Sequence, residues 1–133
     1  MNFVSIRVIT DDVKRLVRFY EEVTGLTATW SNEDFAEVST SSCTLAIGST
    51  RTVALFGPGT VRPADNHTAI IEFLVEDVDK EYERLGKVIS ELVKAPTTMP
   101  WGNRSLLFRD PDGNLINLFT PVSEGAKKKF KVA

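Results

Sequence analysis

A chain of 133 residues is long enough for one compact domain, or for two very small modules that share a core. Hydrophobic residues make up 42% and charged residues 26%, as in ordinary soluble globular proteins, and a formal net charge of −2 argues against a nucleic-acid-binding body. The single cysteine, Cys43, excludes an intrachain disulfide, and with no apolar run of roughly 18 residues and no export-type start a cytoplasmic protein is expected.

The elements follow in chain order. Residues 2–9, NFVSIRVI, alternate and are rich in branched side chains, which predicts a strand. Asp11 or Asp12 then caps a helix, because a short carboxylate accepts the unpaired N–H groups of a first turn. Val13, Leu16, Val17, Tyr20 and Val23 recur at helical spacing and form one apolar stripe, and Gly25 suits the left-handed residue that ends many helices. Strands are predicted at LTATWS, FAEVST and CTLAIG, followed by a loop holding Pro58, Gly59 and Pro63.

The pattern then restarts. Residues 69–85, AIIEFLVEDVDKEYERL, read as a strand, an acidic cap and a helix carrying Val78, Tyr82 and Leu85. Later strands are VISELVKA, RSLLFRD and NLINLFT. A shift of 65 places lays Ile6, Val8, Asp12, Val13, Val17 and Tyr20 on Ile71, Phe73, Asp77, Val78, Tyr82 and Leu85. One strand–helix unit is thus written twice. Each unit has about 55 residues and one helix, too little to cover both faces of its sheet, so the units are expected to pair. Lys127, Lys128, Lys129 and Lys131 read as a solvated, frayed terminus, with a contact to an anionic ligand or partner as the alternative.

A strand, one helix and three strands, repeated, with DPDGN before the last strand, resembles the vicinal oxygen chelate superfamily. This is the group of glyoxalases, bleomycin-resistance proteins and extradiol dioxygenases. The resemblance spans residues 2–121, and its most specific stretch is PWGNRSLLFRDPDGNLINLF. It implies an α+β fold in which two βαβββ modules form a cupped mixed sheet with helices on the outer face. A single domain would occupy residues 1–121, with module one at about 2–57, a linker at 58–67, module two at 68–121, and a basic C-terminal tail at 122–133.

Family enzymes hold a divalent metal in the cup with histidines and glutamates on the first and last strands of each module. The resemblance carries these positions onto Ser5, Ile70 and Asn117, with a fourth near residues 47–52, where no His, Asp or Glu occurs. Serine and neutral amides are poor transition-metal ligands, so no metal cofactor is expected. The one histidine, His67, reads as a surface residue in the loop before Ile70.

Alternation turns Val4, Ile6 and Val8 toward the helices and Ser5, Arg7 and Ile9 into the cup. The same count turns Ile70, Glu72 and Leu74, and Leu115, Asn117 and Phe119, into the cup. Arg7 and Glu72 are repeat equivalents that either pair with each other or bind ligand. Trp30, Phe35 and Trp101 are the aromatic candidates. Trp101 either stacks on a ligand from a rim loop or caps the core or a dimer interface. Glu37 and Arg104 suit either face. The WGNR stretch is similar to metal-free drug-sequestering members of the family. The expected partner is therefore a small organic molecule, such as an antibiotic or planar toxin, with no nucleic acid and no membrane, bound by a homodimer. The ligand-binding set is Ser5, Arg7, Trp30, Phe35, Ile70, Glu72, Trp101, Arg104, Asn117 and Phe119. Two rival readings stand. One is a lyase or dioxygenase with displaced ligands Glu37, Glu72 and His67, or with Glu72 as a general base. The other is a structural or interaction module whose cup is filled. A Cys43–His67 nucleophile pair and a phosphate loop at GPGTVRP find little support.

Overall fold

Asp12 and Asp77, 65 places apart, start the two main helices. Asp12 accepts from the Arg15 backbone N–H at 3.1 Å, and Asp77 accepts from those of Asp79 and Lys80 at 3.1 and 3.2 Å. Each carboxylate satisfies donors that a first turn leaves unpaired. At the far end of the first helix, Gly25 adopts φ +71° and donates its N–H to Glu21 O at 2.8 Å.

The computed structural model describes residues 1–133. In order, the elements are β1 (Ser5–Thr10), α1 (Val13–Thr24), β2 (Thr29–Asn32), β3 (Phe35–Ser39), β4 (Thr44–Ser49), β5 (Ile70–Leu74), α2 (Val78–Arg84), β6 (Glu91–Thr98), β7 (Asn103–Arg109), β8 (Leu115–Pro121) and α3 (Glu124–Phe130). They group into two compact units, Met1–Asn66 with Pro111–Gly113, and His67–Asp110 with Asn114–Ala133. The first unit has a four-stranded sheet in the order β1-β4-β3-β2, and the second has one in the order β5-β8-β7-β6. The first and last strands of each unit pair parallel, and the others pair antiparallel. The architecture is mixed α+β and consists of two βαβββ modules, as the repeat implied.

In the first unit α1 packs on β3 and β4, burying Leu16, Val17 and Tyr20 with Ala36, Val38, Leu45 and Ile47. In the second, Val78 and Leu85 are buried together with Leu106, Phe108, Ile116 and Leu118. Paired residues on neighbouring strands share a face, so these sets mark the helix-covered side of each sheet. The DPDGN turn is closed by its own side chains. Asp110 accepts from the Asn114 backbone N–H at 2.9 Å and from its side-chain amide at 2.7 Å, with both residues buried. No helix is long and apolar enough to cross a membrane.

Two segments differ from the sequence reading. Thr50–Phe56, part of the expected loop region, is a 3-10 helix started by Ser49, whose hydroxyl accepts from the Arg51 N–H at 3.2 Å. The lysine-rich end, expected to be a frayed tail, is helix α3. Ser123 caps it by accepting from the Ala126 N–H at 3.0 Å, and the Phe130 ring packs on Phe119 with centroids 5.0 Å apart. Its three lysines lie in the last turn, where cations complement the helix dipole. The start of α3 presses on Gly102, whose carbonyl accepts from the Val122 and Ser123 N–H groups at 2.9 and 3.1 Å.

Gly102 has φ +96°, and a Cβ there would lie 2.0 Å from Ser123 Oγ. Gly113 has φ +86° but open space around it. Gly102→Ala should therefore cost roughly 2–4 kcal/mol, strain plus overpacking, while Gly113→Ala should cost only the backbone strain of about 1–2 kcal/mol. Urea denaturation of both variants checks this. Equal losses would mean that Ser123 does not press on Gly102.

Candidate functional site

Each sheet has one face covered by its main helix, α1 or α2, and an opposite face that these helices leave uncovered, met in the second unit by α3 at Phe119. In the second unit, the register lines up Glu72, Asn117, Leu107 and Lys94 across the uncovered face. The flanking rows are Ile70–Leu115–Arg109–Glu91 and Leu74–Phe119–Ser105–Thr97. Asn117 sits at the centre. It is only 9% exposed, and its Nδ2 donates to Glu72 Oε2 at 2.8 Å. A carboxylate only accepts, so the amide nitrogen must face Glu72 and the oxygen must point away. That oxygen, Oδ1, is buried and has no hydrogen-bond partner. A buried acceptor left in this state costs about 1–3 kcal/mol. Phe119 closes one end of the face against Phe130.

In the first unit, the uncovered rows are Ser5–Thr44–Ser39, Arg7–Ala46–Glu37 and Ile9–Gly48–Phe35. The Ser39 and Thr44 hydroxyls are 2.9 Å apart. The Arg7 guanidinium lies over the Phe35 ring at 5.3 Å and over the Phe56 ring at 5.9 Å.

The expected site residues distribute as follows. Within the first unit, Ser5, Arg7 and Phe35 share the uncovered face. Within the second, Ile70, Glu72, Asn117 and Phe119 do the same. Arg7 and Glu72 were expected either to pair or to bind ligand; within its own unit Arg7 lies over the two rings, and Glu72 accepts from the Asn117 amide. Trp30 pairs with Ala36, which places it on the helix-covered side, where it is partly exposed on an edge strand. Arg104 pairs with Thr120 and Thr98 on the helix-covered side of the second sheet. It grips Asp79 of α2 with Nε–Oδ2 at 2.9 Å and Nη2–Oδ1 at 3.0 Å. This grip holds the Asp79 carboxyl below the usual carboxylate range and raises the Arg104 guanidinium. Trp101 is 68% exposed in the turn between β6 and β7. His67 is exposed in the segment before β5. The residue the sequence reading missed is Phe56. It sits among turn residues with no periodicity to mark it, and the only cue was the bulky apolar pair Leu55-Phe56 directly before GPG.

The positions where the resemblance places metal ligands do not suit a metal. Ser5 and Ile70 offer no strong donor, and Asn117 commits its amide nitrogen to Glu72. On β4 the register counterpart of Asn117 is Ala46, since Arg7 pairs with Ala46 as Glu72 pairs with Asn117. No three His, Cys, Asp or Glu side chains cluster in a way that could hold an ion.

Comparison with known proteins agrees with the fold and with the repeat. Residues 2–118 match the family model for the Glyoxalase/Bleomycin resistance protein/Dioxygenase superfamily. A curated relative, the uncharacterized protein YraH of Bacillus subtilis strain 168, is 30% identical over 125 residues, covering 90% of this chain and 98% of that protein. A glyoxalase/bleomycin resistance protein/dioxygenase family enzyme from Burkholderia phytofirmans PsJN superposes with a TM-score of 0.82 at 17% identity, covering 92% of this chain and 100% of that one. A glyoxalase/bleomycin resistance protein/dioxygenase from Nocardioides gives 0.76 at 22% identity, covering 94% and 86%. At these identities the structures speak to the fold alone. The matched span and the curated relative go further, and the chain belongs to the Glyoxalase/Bleomycin resistance protein/Dioxygenase superfamily.

Proposed function

We propose that this protein binds a small planar organic molecule, of the kind represented by antibiotics and toxins, on the uncovered face of its second unit. It does so without a metal and without transforming the molecule, so protection is stoichiometric sequestration. The observation that carries this reading is the Asn117 amide, a buried group with its nitrogen engaged and its oxygen unpartnered. A ligand N–H or O–H that reaches Oδ1 recovers the cost of the unpaired acceptor. Glu72 keeps lone pairs for a second donor. Ile70, Leu115 and Leu107 supply apolar surface beside these polar groups, the usual mix of a small-molecule site. The edge strands β1 and β5 leave Ile6, Ile70 and Leu74 exposed, which supports assembly as a homodimer. Light scattering on the purified protein should give twice the chain mass, and a monomeric mass would remove that part of the reading.

Asn117→Leu separates function from stability. It deletes an unsatisfied buried acceptor, so the melting temperature should stay level or rise, while a compound found by thermal shift in a planar drug-like library should bind at least about tenfold more weakly. The same protein should carry no stoichiometric metal and gain no stability from Zn, Ni, Mn or Fe(II) salts. A metal bound one to one, or unchanged ligand affinity in the leucine variant, would sink the proposal.

Asn117→Asp sets a carboxylate against Glu72. Sharing the site raises one folded-state carboxyl above its unfolded pKa of about 4. The sign follows. The destabilisation is full above the raised pKa and fades as pH falls through it. Melting curves should show the variant several degrees below the parent at pH 8, with the gap narrowing toward pH 5. A gap that is independent of pH would mean that the two groups do not face each other.

A further inference from the structure

Arg7 is unusual among the arginines of this chain in what surrounds it. Of the seven other arginines, Arg15, Arg51, Arg62, Arg84, Arg104 and Arg109 have a carboxylate within salt-bridge distance, and Arg18 has neither an ion pair nor an aromatic ring beside it. Arg7 makes no ion pair and no side-chain hydrogen bond, and its guanidinium lies over two aromatic rings, Phe35 and Phe56. The side chain leaves β1 and reaches Phe35 on β3, so it crosses β4, where the residues on this face are Ala46 and Gly48. The small Ala46 leaves room for its stem, while Thr52 Oγ1 and the edge of the Phe35 ring lie over Gly48. Ala46 is buried although it lies on the side without a helix, which fits this arrangement.

The chemistry of such an arginine is specific. An aromatic ring offers no lone pair, so the five guanidinium N–H donors remain available. Two rings beside the charge thin the water around it, which strengthens any charge-assisted hydrogen bond that forms there. The planar fork matches a carboxylate with two parallel N–H···O bonds. Phe56 is 62% exposed and offers a face to a flat ligand bonded to that carboxylate. Glu37 stands in the same row on β3, roughly 10 Å from Arg7 between backbones by ordinary strand spacing and nearer to the outstretched guanidinium, and disfavours a second negative group.

We infer that Arg7, bracketed by Phe35 and Phe56, is an anchor for the carboxylate of a planar aromatic monoacid. The inference stands on the first unit alone and does not require the Asn117 reading.

The test is nitrogen–proton NMR of the full chain titrated with 1-naphthoate, with 1-naphthamide and inorganic phosphate as comparison probes. Naphthoate should move the Arg7 Nε–H and the Phe56 ring signals saturably, and naphthamide should bind about tenfold or more weakly. Arg7→Gln should bring naphthoate down to the amide's level, and Arg7→Lys should keep only part of the preference, because it retains the charge but not the fork. Phe56→Leu, at an exposed position, should weaken naphthoate several-fold with the melting temperature unchanged. It keeps the test valid if the arginine variants fold poorly. Asn117→Leu should leave naphthoate binding intact, so failure at one face is told apart from failure at the other. Equal response to acid and amide would overturn the inference. So would phosphate competing as well as naphthoate, or shifts confined to Lys127–Lys129.

Discussion

In each unit the first strand lies beside the last and parallel to it, while the second strand lies at the opposite edge of the sheet. A parallel neighbour cannot be reached by a hairpin. The chain must cross the sheet by a helix, and one helix covers one face. This constraint leaves each sheet a second face that α1 or α2 does not cover, and the polar groups at its centre lie there. The same pairing decides what stands at the centre of that face, Glu72 beside Asn117 in one unit and Arg7 beside Ala46 in the other.

The two faces have diverged although the units are repeats. Arg7 and Glu72 are 65 places apart (72 − 7), whereas Ala46 and Asn117 are 71 apart (117 − 46), so the second unit carries six more residues between its first and last strands. The side chains differ more than the lengths. On β4 the uncovered face shows Thr44, Ala46 and Gly48, and an arginine can lie across it. On β8 it shows Leu115, Asn117 and Phe119, and the large apolar neighbours isolate one amide. One topology thus yields a cation between rings in one unit and a half-satisfied amide among aliphatic side chains in the other. Neither could be exchanged for the other without changing the strand beneath it.

Much of this was legible in the sequence because it is local. Asp12 and Asp77 cap helices because short carboxylates reach first-turn donors, and the stripe from Val13 to Val23 is buried because helical spacing puts it on one side. Strict alternation also assigned β1, β5 and β8 their faces correctly. It gave less help at the hairpins. The register of β2 shifts between Trp30 and Asn32, and that of β6 shifts twice, so counting by two is unsafe along these two strands. Arg104 shares the face of Leu106 and Phe108 on the regular strand β7, but its partner there, Asp79, lies 25 residues earlier and no local pattern reveals it. Helix α3 was missed for a similar reason. Its lysines suggested solvent, but Ser123, Gly102 and Phe119 hold it from outside the segment.

The Glu72–Asn117 pair also bears on why this member of the family lacks the usual ligand set. A carboxylate at position 117 would face Glu72 at hydrogen-bond distance, and two like charges so close, one of them on a buried residue, favour a cation or a shared proton. An amide removes that need. Its nitrogen answers the Glu72 charge directly, and no countercharge has to enter. The cost moves elsewhere, to an oxygen with nothing to accept. A metal-binding centre is stabilised by the ion that occupies it, whereas here the Glu72 carboxylate is met by an amide N–H. Under the function proposed above, exchanging one side chain makes the site select for a hydrogen-bond donor.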